Sequence, residues 1–241
     1  MTDHIMDNIK TTNSQSGNDV AWWMGNTQGR FTVKSAWNLT RNKHEIRKDY
    51  ELIWKKELPF KFSLFMWRVW KRRIATDDNL KKMKINIVSR CWCCQNKKEE
   101  TMTHLFLTAP IANKLWRHFV DCAGIKMEGM LQQQIIIAWW KHKASPQLQE
   151  VYRAIPAIVL WTIWRRRNAI KHGNNIRYEE MVNQIVGVVR QLIKHKYPWI
   201  KRIEWSWLDI ISRLGNYKPK LHYLSVNWKP PDNRRIKCNT D

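Results

Sequence analysis

Leu58-Pro59-Phe60-Lys61-Phe62-Ser63-Leu64-Phe65-Met66-Trp67-Arg68-Val69-Trp70, closed by Lys71-Arg72-Arg73, is the stretch that decides the fold class. Proline has no N–H to leave unpaired in the first turn of a helix, so Leu58-Pro59 reads as a helix entry. Phe60, Leu64, Trp67 and Trp70 then recur at helical spacing, and Phe65, Met66 and Val69 widen the stripe. Downstream the pattern repeats. Thr76-Asp77-Asp78 offers a capping hydroxyl and two acids for a positive helix end, with Leu80 and Met83 facing inward. Pro110 to Ala123 carries Ile111, Leu115, Trp116 and Phe119 on one side, and Met130 to His142 is apolar in its middle. Leu148 to Lys171 sets Ile155, Ile158, Trp161 and Trp164 on a stripe and stops at Gly173. Glu179 to Lys196 does the same with Met181, Ile185, Val188, Val189 and Leu192. Trp205, Leu208, Ile211 and Leu214 predict a shorter helix ending at Gly215.

Both ends of the chain read differently. Residues 1–18 are polar and are expected to be disordered. Gly and Asn between the apolar runs Trp22-Trp23-Met24 and Phe31-Thr32-Val33 predict a short β-hairpin, after which Ser35 caps a helix that buries Trp37. From Lys218 onward, Pro219, Pro230 and Pro231 punctuate a linker, and Arg234 to Thr240 reads as the start of a strand. The expected fold is mainly α, with a small N-terminal β-hairpin, a helical body and a short β strand at the C-terminus. Most of the 16 tryptophans are expected in the core.

Charge is the strongest functional signal. Lys plus Arg number 43 against 20 Asp plus Glu, a formal charge of +23. The natural partner for such a field is RNA or DNA, whose condensed counterions are released as phosphates are neutralised. Lys71, Arg72 and Arg73, and Arg165, Arg166 and Arg167, are the candidate phosphate contacts; for any single cluster a solvated helix face is the better explanation, and it is the charge of the whole chain that points to nucleic acid. Several classes are excluded. The apolar run Ala154 to Trp164 is too short to span a bilayer and contains Pro156, and Met1 to Asn18 lacks the apolar core of a secretory signal. An intracellular protein, in nucleus or cytoplasm and off the membrane, is expected. No Gly-rich phosphate loop, Gly-x-Ser-x-Gly turn or His-Glu-x-x-His helix occurs. No small-molecule substrate is expected.

The five cysteines include Cys91, Cys93 and Cys94, a clustered pattern that suits a metal site better than a disulfide framework. Cys91 and Cys94 have the Cys-x-x-Cys spacing that lets two thiolates hold one zinc, and His104 supplies a third ligand. A closed structural site needs four. Ala109 stands before Pro110, where a fourth is natural, and Ala cannot bind metal. Cys93 would serve only with awkward geometry, and His118 or Cys122 would have to fold back. Reduced cysteines beside a satisfied histidine are the alternative.

The order of motifs resembles a known family. Asp19-Val20-Ala21-Trp22, Gly29-Arg30-Phe31-Thr32-Val33-Lys34-Ser35-Ala36-Trp37, Ile53-Trp54-Lys55, Leu58-Pro59-Phe60-Lys61, Phe65-Met66-Trp67-Arg68 and Ala75-Thr76-Asp77-Asp78-Asn79-Leu80 are similar to the zinc-binding domain that follows reverse transcriptase in plant LINE-type retrotransposons. Cys-x-x-Cys and His104-Leu105-Phe106-Leu107-Thr108 continue it, and the family has a Cys where Ala109 sits. Trp161-x-x-Trp164-x-x-Arg167-Asn168 with His172-Gly173 resembles the helical spacer that follows. Val226-Asn227-Trp228-Lys229-Pro230-Pro231 and Ile236-Lys237-Cys238-Asn239-Thr240-Asp241 resemble the first strand of a ribonuclease H domain, with Asp241 its first metal-binding carboxylate. The resemblance implies a tail over 1–18, a zinc-binding-like domain over 19–125, a helical spacer over 126–217, and a linker with a truncated ribonuclease H start over 218–241. It implies a non-catalytic module, a fragment of a polyprotein lacking both catalytic sets. The alternatives are a protein-interaction scaffold and a degenerate remnant without selected function.

Overall fold

A computed structural model describes residues 21–41, 47–95 and 98–218, and the chain divides into two compact units after Ile46. In the first unit, Trp22 to Arg30 forms an irregular loop followed by helix α1 (Val33–Thr40). The expected hairpin is absent. One main-chain bond closes the loop, from the Trp23 N–H to the Gly29 carbonyl at 2.8 Å. Inside it the Gly29 N–H donates to the Asn26 carbonyl at 3.4 Å, and the Asn26 carboxamide accepts from the Gln28 and Arg30 N–H groups and donates to the Arg30 carbonyl. Gly29 takes φ +68°, and a Cβ there would lie 2.3 Å from the Trp22 ring. The return arm has no length for a ladder, because Thr32 already caps α1 by accepting from the Ser35 N–H, and Val33 is helical. Ser35 is the reciprocal partner of that capping box rather than the cap, and Trp37 is exposed rather than buried.

The second unit contains α2 (Lys48–Ile53), α3 (Phe60–Trp70), α4 (Asp77–Lys82), a π-helical turn (His104–Thr108), α5 (Pro110–Ala123), α6 (Gln132–Lys141), α7 (Pro146–Lys171), α8 (Tyr178–Lys196) and α9 (Trp207–Gly215). No strand occurs among the described residues, so the fold class is α and not α with β pieces. The strand expected over Arg234 to Thr240, and the tail over 1–18, lie outside the described residues.

Helix α7 is the hub. It packs against α3, α5, α6, α8, α9 and the π-helical turn. Accordingly it is buried nearly all round, from Leu148 through Ile163, rather than along one stripe. Pro156 sits inside it and withholds the N–H that would serve the Tyr152 carbonyl. Helix α5 has the expected bounds and buries Leu115, Trp116 and Phe119. In α3 the buried face is Phe62, Phe65, Met66 and Val69, and Phe60 and Met83 point to solvent, contrary to expectation. In α9 the buried residues are Trp207, Ile210 and Leu214, and Trp205 and Leu208 are exposed.

Only Trp116, Trp139, Trp140 and Trp207 are buried among the described tryptophans; six are exposed and the rest half-buried. A large ring with one polar atom sits well at a boundary. The buried ones are mostly satisfied: the Trp116 indole N–H donates to the Phe106 carbonyl at 2.8 Å, and that of Trp207 to the Phe119 carbonyl at 3.2 Å.

Candidate metal centre and its basic surround

From Met83 to Thr101 the described residues have no regular structure, and side chains hold them. Asp77 accepts from the Ser89 hydroxyl at 3.0 Å and the Arg90 N–H at 3.3 Å. The Ser89 oxygen accepts from the Glu100 N–H, and the Glu100 carbonyl accepts from the Asp78 N–H. Arg167, from α7, then reaches down with a two-pronged contact to Glu100, 2.9 Å from Nε and 2.5 Å from Nη2, with Asp77 at 3.7 Å. All three charged side chains are buried. Desolvation pushes the Glu100 carboxyl above its ordinary value, and the Arg167 guanidinium pulls against that rise. Burial works against the Arg167 charge as well, and its bond to Glu100 outweighs it.

Within the loop so held, the Cys91 N–H donates to the Lys98 carbonyl at 2.8 Å. The Cys91 and Cys94 sulfurs lie 3.7 Å apart, and Cys94 Sγ lies 3.2 Å from His104 Nε2. Ligand atoms of Cys91, Cys94 and His104 all fall within 4.8 Å of one another. Tetrahedral zinc with Zn–S of about 2.3 Å requires an S–S edge of about 3.8 Å, so this pair is set for one ion. The π-helical turn places Thr108 under His104: its hydroxyl lies 3.2 Å from Nδ1, which leaves Nε2 toward the thiols. A hydrogen bond from Cys93, helped by Cys94 and His104, pulls the Cys91 thiol down to about 5. Desolvation and the Cys91 charge push Cys94 up to about 11, and the bond to Cys91 together with burial pushes Cys93 up. These opposed shifts favour a thiolate on Cys91 beside a neutral Cys94 thiol.

Three donors therefore fit a metal with soft and imidazole preferences, and one position short of a closed structural site. Cys93 lies outside the convergent set. His118 packs edge-on against Phe119 and Tyr178, and Cys122 lies on α5 away from the set. Ala109 is buried, and its N–H donates to the His104 carbonyl at 2.7 Å as it caps α5.

The basic residues surround this centre unequally. Phe62 meets Trp161, and Phe65 meets both Trp161 and Trp164, so α3 and α7 run in the same direction. Their cationic ends therefore lie at one end of the unit. Lys71, Arg72 and Arg73 are exposed, with Lys71 Nζ 5.4 Å from the Tyr50 ring centroid. Arg165 is exposed beside Gln184. Arg166 is half-buried, its Nε on the Ile176 carbonyl and its charge close enough to oppose the rise of the Cys93 and Cys94 thiols. Arg167 is the correction: its guanidinium is taken up by Glu100 and Asp77 and offers nothing to a phosphate. The sequence reading missed Glu100 and Ser89, which no local pattern marks. It also missed Thr108, which the four-residue spacing from His104 does mark.

Residues 31–116 match the family described as zinc-binding in reverse transcriptase, a stretch that contains Cys91, Cys94, His104 and Ala109. Over 226 residues the chain is 19% identical to the Arabidopsis thaliana protein named "Putative ribonuclease H protein At1g65750", covering 91% of this chain and 34% of that protein. The chain thus spans about a third of the length of that relative. No solved structure matches. The two matches agree with the resemblance read from the sequence: residues 31–116 are similar to the zinc-binding region of reverse transcriptases, and the chain is distantly similar to part of a protein named as a putative ribonuclease H protein. No helix among the described residues is long and apolar enough to cross a membrane.

Proposed function

We propose that the chain is a non-catalytic nucleic-acid-binding module in which zinc, held by Cys91, Cys94 and His104, staples the irregular loop to the helical body. The observation that carries this reading is the convergence of those three side chains inside the segment that matches the reverse transcriptase zinc-binding family. When bound, zinc would act as a structural cross-link. The chain's own residues set the loop for it: Arg167 and Asp77 fix its two flanks, and Thr108 orients His104. The exposed Lys71, Arg72, Arg73 and Arg165 at the same end supply charge for phosphates.

Two measurements test it. Affinity for single-stranded oligonucleotides should fall steeply as salt is raised, because phosphate contacts release counterions; no detectable binding at low salt refutes the reading. Zinc content is compared between the native chain and Ala109→Cys. One zinc per chain in both supports a three-ligand site, zinc only in the variant shows that Ala109 disables it, and near-zero zinc in both removes the staple. A second reading, a protein-docking module, draws support from the first unit, where α1 buries nothing and Trp22, Phe31, Val33, Trp37 and Leu39 are all exposed. Binding of protein that survives nuclease treatment would sustain it.

A further inference from the structure

Between α8 and α9 the chain runs without regular structure from Tyr197 to Ser206. Tyr197, Ile200 and Ile203 are buried, as is Trp207 at the start of α9. That near three-residue rhythm turns the residues between them outward, apart from the half-buried Glu204. Trp199, Lys201, Arg202 and Trp205 are exposed, Trp199 by 58% and Trp205 by 66%. The order along the strap is therefore aromatic, cation, cation, aromatic. Both indoles stand clear of the core within a few residues of Trp207, which is fully packed.

Trp205 is also held. The Arg190 guanidinium, from α8, lies 3.5 Å from its ring centroid, which stacks one face and leaves the ring oriented with the rest exposed. Trp199 is braced by an edge contact with Tyr197 at 5.6 Å. Lys194 follows Arg190 one turn later on α8 and is exposed. Among the described residues none of Arg190, Lys194, Lys201 and Arg202 forms an ion pair with a carboxylate. The neighbouring acid Glu204 is instead engaged by Arg213 at 2.7 Å.

This surface shares no residue with the metal centre. Arg165 meets Gln184 on α8, and Arg190 and Lys194 lie about 9 and 15 Å further along that helix.

We propose that the strap from Trp199 to Trp205, with Arg190 and Lys194, is a stacking platform for single-stranded nucleic acid. Bases lie on the two indoles and phosphates lie on the cations between them. The charge fixes the occupant as a polyanion, and the two braced indoles fix it as one with unpaired aromatic bases, since paired bases in a duplex present no free face. The proposal rests on the nucleic-acid reading above and adds a second contact region to it.

The test uses the full 241-residue chain and a fluorescent single-stranded oligonucleotide, followed by anisotropy across a salt series. The double variant Trp199→Ala/Trp205→Ala should bind about tenfold or more weaker, with an unchanged salt slope, because stacking is lost and no phosphate contact is. Lys201→Gln/Arg202→Gln should lower the slope of log affinity against log salt by about 1.4, since each single-strand phosphate contact contributes about 0.7. Circular dichroism of both variants should match the native chain, as all four side chains are exposed. Iodouracil placed in the strand should cross-link to the peptide carrying Trp199 or Trp205. If the native chain binds but both variants bind equally well, or the cross-links map elsewhere, the platform is overturned and the broader reading stands. If the native chain binds no nucleic acid, the broader reading falls and takes the platform with it.

Discussion

Replacing Arg167 by Met separates two opposed views of one residue. In the structure its guanidinium lies 2.5 and 2.9 Å from the two carboxylate oxygens of Glu100, and Glu100 has no solvent exposure at all. Deleting one member of such a pair strands the other charge, which typically costs about 3–5 kcal/mol. Against a typical domain stability of about 5–15 kcal/mol, that is a large fraction. Asp77 keeps Ser89 and the Arg90 N–H as donors, so the stranded group is Glu100. Arg167→Met/Glu100→Gln removes both charges and should recover at least half the loss. The deficit should also depend on pH in a set direction. Burial already holds the Glu100 carboxyl above its ordinary value, with Arg167 opposing the rise. Between the ordinary and the raised value the folded chain binds a proton that the unfolded chain does not, so stability falls as pH rises through that window. Without Arg167 the window widens. The gap between native and Arg167→Met should be greatest near neutrality and shrink on acidification. Urea unfolding over a pH series measures it. A loss under about 1 kcal/mol with no recovery in the double variant would refute the buried pair. Weakened nucleic-acid binding with unchanged unfolding would restore Arg167 as a phosphate ligand.

Three further perturbations test other joints. Burial raises Glu150, but Lys196 and Lys55 outweigh it and hold the carboxyl down to about 2; the stability it contributes is present above the ordinary glutamate value and is lost as pH falls toward about 2. Because the site is partly solvated, Lys196→Met should cost only about 1–2 kcal/mol near pH 7 and flatten the acid limb of a urea midpoint series. Trp116→Phe keeps a ring in the core but orphans the Phe106 carbonyl, which should cost about 1–3 kcal/mol in thermal or urea unfolding, against about 3–5 for Trp116→Ala. Thr108→Ala removes the hydroxyl beside His104 Nδ1 and should weaken zinc by about tenfold in a chelator competition, with metal-free stability little changed. Equal zinc affinity would show that the hydroxyl does not orient the imidazole.

Helix positions were legible because proline, glycine and capping residues are local signals. Pro110 to Ala123 was found with its expected bounds for that reason. Helix faces were less so. Trp205 and Trp207 both fit a 3.6-residue stripe with residues downstream, and local pattern cannot choose between them. What chooses is Phe119, 88 residues away in sequence, whose carbonyl takes the Trp207 N–H. The same holds in α3, where Phe62 turns inward because Trp161 meets it. The hairpin failed because Val33, β-branched and next to Thr32, serves as the first residue of a capped helix. The convergence of Cys91, Cys94 and His104 was legible, since Cys-x-x-Cys and a histidine ten residues on are sequence-local. The network that holds their loop was not, because Arg167 and Glu100 are 67 residues apart.

Arg165, Arg166 and Arg167 show why a run of like charges on a helix is not one site. Successive residues on an α-helix point about 100° apart. On a helix packed on most sides, three consecutive residues must therefore meet three environments. Here they are solvent, the Ile176 carbonyl, and a buried carboxylate. Only the first is free for phosphate. The same rule tells where free cations can gather: at helix ends and on irregular segments, where neighbours in sequence need not diverge. Lys71 to Arg73 follow the end of α3, and Lys201 and Arg202 lie on the strap before α9. The interior, meanwhile, engages carboxylates: Glu100, Asp77 and Glu150 all lie in inward ion pairs. With 20 acids to 43 bases, pairing every acid would still leave 23 cations without a partner. Their mutual repulsion is relieved by a polyanion, and among the described residues the end of α3 and the strap before α9 are two places where local geometry lets such cations gather.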